Sequence, residues 1–175
     1  MKLAVIYDSK SGNTKQVIQK QAAEWIAQGM EANADVEAKA FSIDSVDEAF
    51  VNDAKGIVIG SPSYAAAMTP NLHDFLMNKS NNLNFTGKLG GAFATEQFTH
   101  GGGEMVIQNI LTFELTKGMM CYSSGGAFGS PVIHMGPVGV NGNVEKHNGM
   151  EHYKDYFTIF GERFAKKALE IFWYQ

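Results

Sequence analysis

A hydroxyl-rich loop near the start of the chain has the residue types of a phosphate-binding site. It follows the apolar run at residues 3–7 and leads into an amphipathic segment. The N-terminus of a helix carries unpaired N–H groups and a partial positive charge, so it binds anions. Hydroxyl groups add further donors, and a glycine lets the backbone turn tightly. We therefore predict that phosphate is bound by the six residues of this loop, Ser9, Lys10, Ser11, Gly12, Asn13 and Thr14.

Two common nucleotide-binding motifs are absent from the sequence. The chain contains neither GxGxxG nor GxxxxGK, so the loop is neither a dinucleotide-binding fingerprint nor a Walker A loop. The phosphate ligand must therefore be identified from the other loops.

Those loops are expected from the arrangement of strands and helices. Apolar runs predict buried parallel strands, and an alternating apolar and charged run at 36–41 predicts an edge strand. The buried strands are expected at 3–7, 56–60, 90–94 and 119–122. Helical patterns cover 14–28, 70–79, 104–117 and 151–172, and Thr69 and Pro70 mark the start of the second helix. Strands alternating with helices predict an α/β fold with a doubly wound, five-stranded parallel sheet. Because the second strand has edge character, the predicted strand order is 2-1-3-4-5.

In such a sheet the ligand lies beyond the carboxyl ends of the first, third and fourth strands. Loops 8–14, 61–69 and 95–103 should therefore form the site. Pro62 stiffens the second loop, and its small residues allow close approach to a flat ligand, which Tyr64 would cover. Glycines in the third loop favour close backbone approach. The alternatives are that Tyr64 packs on its own loop and that the third loop is a flexible linker.

Residues 123–150 do not fit the regular pattern. They contain seven glycines and no long helical pattern, and a structureless segment of this length is usually functional or disordered. Its apolar residues argue against disorder.

Two further residues are expected in the core. A single cysteine, Cys121, lies in an apolar run and is expected to be an inert core thiol, and Trp25 is also expected to be buried.

Composition limits the classes of protein that remain. The length of 175 residues suits a single domain, and a net charge of −4 argues against a nucleic-acid-binding surface. No disulfide is possible with one cysteine, and no metal site is predicted. Neither a signal peptide nor a membrane-length apolar run is visible, so we expect a cytoplasmic protein that does not bind a membrane.

Taken together, SKSGNT, GSPSYxxxM and the series GKLGGAF, HGGGE and GM resemble the flavodoxin-like superfamily, which binds FMN. Beyond the first loop the chain is most similar to WrbA-type NAD(P)H:quinone reductases, over nearly its whole length. The resemblance implies FMN as cofactor, NAD(P)H as a transient electron donor and a homodimer or homotetramer. It also implies that the flavin ring and ribityl chain are framed by Pro62, Ser63, Tyr64, Ala65, Ala66, Thr95, Glu96, Gln97, Phe98, Gly101 and Gly102.

Flavin supplies the redox chemistry, and the protein binds, orients and tunes it. A catalytic side chain is therefore not obligatory. The best titratable candidates near the ring are His100 and Lys117, and Lys117 stands where the WrbA-type family usually has histidine. A solvent-exposed loop histidine and a cation near a helix C-terminus are the alternatives.

These observations predict an FMN-dependent oxidoreductase that reduces quinones or similar acceptors. A flavodoxin-type electron carrier without its own substrate is the alternative, although the modest net charge lacks the strong electrostatic steering that carriers use. A phosphoacceptor domain on this fold would need an aspartate where the chain has Gly60-Ser61, and a low-molecular-weight phosphatase would need a cysteine and an arginine in the first loop. Both are rejected, and a flavin-free binding module remains as a further alternative.

Overall fold

The structure is a computed structural model of the chain. It describes residues 1–8, 12–142 and 149–173, and of residues 12–16 only the backbone. The predicted phosphate loop therefore lies partly outside the described residues.

A parallel sheet forms the centre of the molecule. Its main strands are β1 (Lys2–Tyr7), β2 (Glu37–Ser42), β3 (Gly56–Pro62), β4 (Leu89–Glu96) and β5 (Met120–Cys121). Their order is β2-β1-β3-β4-β5, and every pairing is parallel. The predicted α/β class, strand order and edge position of β2 are therefore confirmed. β3 is buried along its whole length, as expected for a central strand.

The fifth position of the sheet is shared by two short strands. β5 pairs with Leu89 and Gly90 at the start of β4, whereas β6 (Val138–Val140) pairs with Ala94, Thr95 and Glu96 at its end. The prediction of a single fifth strand over 119–122 was therefore wrong in extent, and β6 was missed. It lies in the glycine-rich region, where three residues are too few to give a periodic pattern.

The helices are α1 (Gly12–Glu31), α2 (Glu48–Asp53), α3 (Pro70–Asp74), α4 (Gly103–Thr116) and α5 (Lys154–Phe172). Thr69 caps α3 by accepting a hydrogen bond from the Leu72 N–H, and Pro70 is its first residue, as predicted. A π-helical turn, Phe75–Lys79, continues α3. The six-residue α2 was not predicted because it is too short to show helical periodicity.

Apolar side chains pack on both faces of the sheet. α1 and α5 cover one face, where Phe157, Phe160 and Phe164 are fully buried. α4 covers the other with Val106 and Ile107, together with the segments around α2 and α3. Trp25 is 5% exposed and belongs to the first cluster, so its predicted core position is confirmed.

No helix among the described residues combines the length and apolar character needed to cross a bilayer.

Candidate functional site

Loops from neighbouring parallel strands meet beyond the carboxyl ends of β1, β3 and β4. Asp8, directly after β1, is 1% exposed, and its backbone N–H donates to the Gly60 carbonyl at 3.2 Å. Its carboxylate accepts a short hydrogen bond from the Thr69 hydroxyl. Ser61 joins the two ends of the second loop, since its Oγ accepts from the Thr69 N–H at 3.0 Å. The start of the first loop is thus tied to both ends of the second.

The second loop contains a small hairpin. Tyr64 and Ala67 exchange backbone hydrogen bonds of 2.9 and 3.1 Å, and Ala65 and Ala66 form the turn between them. Both turn residues have positive φ, 52° and 60°, as in the type I′ turn that asparagine and glycine normally occupy. Alanine costs more in that conformation because its Cβ crowds the following carbonyl. The hairpin leaves the Tyr64 side chain 59% exposed.

The second and third loops are joined directly. The Ser63 N–H donates to the Thr95 carbonyl at 2.7 Å, and the Ser63 hydroxyl donates to the Gly101 carbonyl at 2.5 Å. Gly102 has φ 83°, and a Cβ placed there would collide with Ala66. These contacts fix the spacing of the two loops that were predicted to frame a flavin.

Within the third loop, two predicted ligand residues have buried side chains. Thr95 is 5% exposed and its hydroxyl donates to Gln19 on α1 at 2.6 Å. The Glu96 carboxylate accepts from the Gly103 N–H at 2.7 Å, at the start of α4. Burial raises the pKa of Glu96, and the Gly103 hydrogen bond opposes that shift. The side chains of Thr95 and Glu96 therefore hold the loop in place.

The tip of the third loop is exposed. Phe98 is 47% exposed, and Gln97 and His100 also lie at the surface. Phe98 and Tyr64 are thus two exposed aromatic side chains on neighbouring loops, and the exposed Ala65 and Ala66 accompany Tyr64. Exposed apolar groups on neighbouring loops mark a candidate binding surface.

A further segment, absent from the predicted site, lies beside the third loop. It follows β6, where the Asn141 N–H donates to the Glu96 carbonyl at 2.9 Å and Gly142 lies against the Gln97 carbonyl. Because β6 ends next to the carboxyl end of β4, the loop after it begins at the site. Residues 143–148 lie outside the described residues. No sequence signal pointed to this segment, since β6 itself was not recognisable.

The first predicted loop is described only in part. Ser9, Lys10 and Ser11 lie outside the described residues, whereas the backbone of Gly12, Asn13 and Thr14 forms the first turn of α1. A helix therefore begins where the phosphate prediction requires an N-terminus, and binding by these residues stays a prediction.

Lys117 lies at the opposite end of the sheet. It is the C-terminal cap of α4, and its carbonyl accepts from the Thr86 hydroxyl at 3.1 Å, just before β4. Its Nζ lies 5.3 Å from the centre of the Phe113 ring. Within one chain, Lys117 is therefore separated from the three loops by the length of α4, and we do not retain it as a residue of the site. The exposed His100 remains a candidate.

Cys121 also differs from its expected placement. The residue is exposed at the sheet edge, so the prediction of a core thiol was wrong. The Sγ atom turns towards Glu114, at 3.6 Å from its Oε2. Although the residue is exposed, its thiol is partly buried where it contacts Glu114, and this burial raises the pKa of Cys121 to about 12. Burial also raises the pKa of the fully buried Glu114 well above its ordinary value. The thiol therefore stays protonated and donates to the carboxyl group.

The geometry of the loops fits FMN. A flat ring needs small residues and aromatic faces, which Ala65, Ala66, Tyr64 and Phe98 offer at the loop tips. The contact between Gly102 and Ala66 leaves no space for a larger side chain. A terminal phosphate needs a helix N-terminus, and α1 begins at Gly12, one short loop after the end of β1 at Tyr7. The residues that would hold the cofactor thus lie at the end of the sheet where this fold binds ligands.

Known proteins resemble this chain in fold and in sequence. The structure is similar to that of a WrbA-like flavodoxin from Agrobacterium tumefaciens, with TM-score 0.71 and 20% identity over 97% of this chain and 98% of that chain. A flavodoxin from Fusobacterium nucleatum, solved bound to flavin mononucleotide, has TM-score 0.61 and 14% identity, covering 98% of each chain. A flavodoxin from Clostridium saccharobutylicum is 35% identical over 98% of this chain and 100% of its own length.

Fold and loops together define a flavodoxin-like protein. Residues 1–131 match the NADPH-dependent FMN reductase family, and the chain belongs to that family. The predicted superfamily and FMN as the flavin are therefore confirmed, and an NADPH-dependent family fits the predicted nicotinamide donor.

Proposed function

We propose that the protein is an FMN-dependent oxidoreductase that uses NAD(P)H to reduce quinones or similar small acceptors. The observation that carries this proposal is the open cluster of loops with exposed Tyr64 and Phe98, within a family of NADPH-dependent reductases. A ring bound among these loops would keep an exposed side on which a nicotinamide and then an acceptor can stack. Membership of the family supports reductase chemistry, whereas a quinone as the acceptor is a proposal.

Each part of the site has a distinct task in this proposal. FMN, when bound, would supply the redox chemistry between the nicotinamide and the acceptor through its N5 atom. The N-terminus of α1 binds the phosphate, and Tyr64 and Phe98 contact the ring. Ser63 and Gly102 hold the second and third loops at a fixed spacing. His100, exposed at the tip of the third loop, is the candidate to hold a proton near the acceptor.

We further propose a cytoplasmic homodimer or homotetramer that binds neither nucleic acid nor membrane. The segment between β5 and β6 exposes Phe128 and Val132, each 53% accessible. Arg163 of α5 fixes this segment through hydrogen bonds to Ser124 Oγ at 2.9 Å and to the Pro131 carbonyl at 3.0 Å. A rigid, exposed apolar surface favours self-association. Light scattering that gives a monomeric mass would contradict this part of the proposal.

Steady-state kinetics test the reaction. Flavin-loaded protein should oxidise NADPH or NADH when benzoquinone is present, in proportion to its flavin content. Removing the flavin should abolish the reaction, and FMN addition should restore it. Flavin-loaded protein that shows no turnover with either nicotinamide would overturn the enzymatic proposal.

A second candidate function is that of an electron carrier. It is favoured by the 35% identity to a flavodoxin over the full length of both chains. A carrier would be reduced slowly by NADPH alone but rapidly by a separate protein or chemical reductant. Stopped-flow reduction of the bound flavin by NADPH, compared with reduction by dithionite, distinguishes the two candidates.

The phosphate loop can be tested separately. Thr14→Ala should weaken FMN binding by about 1 kcal/mol or more, because one hydrogen bond to a charged phosphate is lost. An unchanged dissociation constant would contradict the assignment of this loop.

A further inference from the structure

A buried polar side chain on α1 is only partly satisfied by hydrogen bonds from the described residues. Gln19 is fully buried, and its Oε1 accepts the 2.6 Å hydrogen bond from Thr95 Oγ1. Its Nε2 has no hydrogen-bond partner among the residues that the structure describes. The link does not depend on the orientation of the amide, since a nitrogen in place of Oε1 would donate to the same hydroxyl.

Packing alone would favour an apolar residue at this position. Ala22, Ala23 and Ile26, further along α1, are fully buried and apolar. A buried amide atom without a partner is destabilising, whereas replacing both members of such a pair by apolar groups of similar shape is often neutral or stabilising. Packing stability therefore does not account for the presence of the polar Gln19–Thr95 pair.

Its position in the molecule provides one. Gln19 lies two turns from the start of α1, the helix whose N-terminus is proposed to bind phosphate. Thr95 is tied to both loops proposed to frame the ring, since its carbonyl accepts from Ser63 N–H and the Ser63 hydroxyl donates to Gly101. A continuous series of hydrogen bonds therefore connects the phosphate helix with the second and third loops.

We propose that Gln19 and Thr95 are positioning residues that hold the phosphate helix in register with the ring-binding loops and thereby give selectivity for FMN over riboflavin. This inference rests on the proposed function. FMN contacts both regions at once, so its affinity depends on their being preorganised relative to one another. Riboflavin lacks the phosphate and engages only the ring-binding loops. Loss of the register therefore weakens FMN binding more than riboflavin binding.

The test uses Gln19→Met, Thr95→Val and the double variant of the full-length protein. Dissociation constants for FMN and for riboflavin are measured by quenching of flavin fluorescence, and the unfolding free energy of the flavin-free protein by urea titration. We expect the ratio of FMN to riboflavin affinity to fall about tenfold in the double variant. Its unfolding free energy should stay equal to that of the wild type or rise.

Matched controls are available on exposed helical positions. Gln28→Met lies on the exposed side of α1, and Thr112→Val changes an exposed threonine of α4 whose hydroxyl donates to the Gln108 carbonyl. Neither should change the ratio. Thr95→Ser keeps the hydroxyl and should retain selectivity that Thr95→Val loses, which provides a comparison even if the double variant folds poorly.

The outcomes separate this inference from the proposed function. A wild-type protein that binds no FMN would overturn the proposed function itself. Tight FMN binding by the wild type with an unchanged ratio in the variants would overturn only the positioning role. A parallel fall of both affinities with the unfolding free energy would show that the pair is merely structural, and would overturn it equally.

Discussion

Both ends of the central sheet bury polar side chains, but the two ends differ in how completely these side chains are hydrogen-bonded. At the amino end, Lys88 is 6% exposed, and its ammonium group donates to the carbonyls of Val51 at 3.0 Å, Asn52 at 2.8 Å and Ala54. All three of its donors are thus paired. At the carboxyl end, Gln19 has an amide atom with no partner among the described residues, and two alanines have left-handed backbone.

This difference indicates that the amino end of the sheet contributes mainly to stability and the carboxyl end to binding. Lys88 fastens the C-terminus of α2 to the start of β4, where its positive charge also suits the helix dipole. Local strain and incomplete hydrogen bonding are typical of binding sites, because there position matters more than stability. We therefore expect changes at the amino end to affect the unfolding free energy, and changes at the carboxyl end to affect flavin binding.

Lys88→Met should have the largest effect. It leaves the carbonyls of α2 without their charged donor in a buried position, and we expect the unfolding free energy to fall by about 3 kcal/mol. FMN affinity of the folded protein should not change. Urea unfolding and fluorescence titration measure the two quantities. Lys79→Met removes an exposed lysine that pairs with Asp74, and it should change the unfolding free energy far less than Lys88→Met does. A flavin affinity that falls with Lys88→Met would contradict the division between the two ends.

The second prediction concerns the pH dependence of stability at the amino end. Burial raises the pKa of Glu114 well above its ordinary value of 4.5. Between pH 4.5 and the raised pKa, the folded protein holds a proton that the unfolded chain has lost, so stability falls as pH rises. The slope from this group is at most about 1.4 kcal/mol per pH unit.

Glu114→Gln should remove that slope, because glutamine can still accept from the Gly91 N–H but does not titrate. Urea unfolding from pH 5 upwards measures the difference between variant and wild type. Glu162→Gln, the same change at an exposed position of α5, should keep the wild-type dependence. Parallel curves for wild type and Glu114→Gln would contradict the prediction.

The third prediction compares two glycines with similar backbone. Gly102 at the site has φ 83° and Gly87 at the amino end has φ 76°, but only Gly102 has a neighbour, Ala66, that an added Cβ would strike. Each alanine variant should lose about 1.5 kcal/mol of stability from the left-handed conformation. Gly102→Ala alone should also weaken FMN binding, because it separates the second and third loops. Equal FMN affinities in the two variants would show that the spacing of these loops does not matter for the cofactor.

Elements with long sequence patterns could be predicted, whereas those with short patterns could not. The buried runs of β1, β3 and β4 and the cap at Thr69 are readable because each combines several consistent residues. The two-residue β5 and three-residue β6 are not, because pairing with β4, rather than local propensity, defines them. Among the site residues, the loops could be located from the strand ends. The inward direction of the Glu96 side chain and the placement of Lys117 depend on tertiary contacts that no local pattern encodes.

The smallest effect is expected from Ala66→Gly, which should change the unfolding free energy and the FMN affinity in opposite directions. Glycine removes the Cβ that is unfavourable at φ 60°, but it also raises the entropy of the unfolded chain. The unfolding free energy should therefore rise by only about 0.5 kcal/mol. FMN affinity should fall, because the Ala66 side chain that lies against Gly102 is lost. Ala67→Gly, in the same hairpin but without positive φ, should instead lose stability, since there glycine brings only the entropic cost. If Ala66→Gly gained both stability and affinity, the strained turn would have no role in the site, and the contrast between the two ends of the sheet would rest on Gln19 alone.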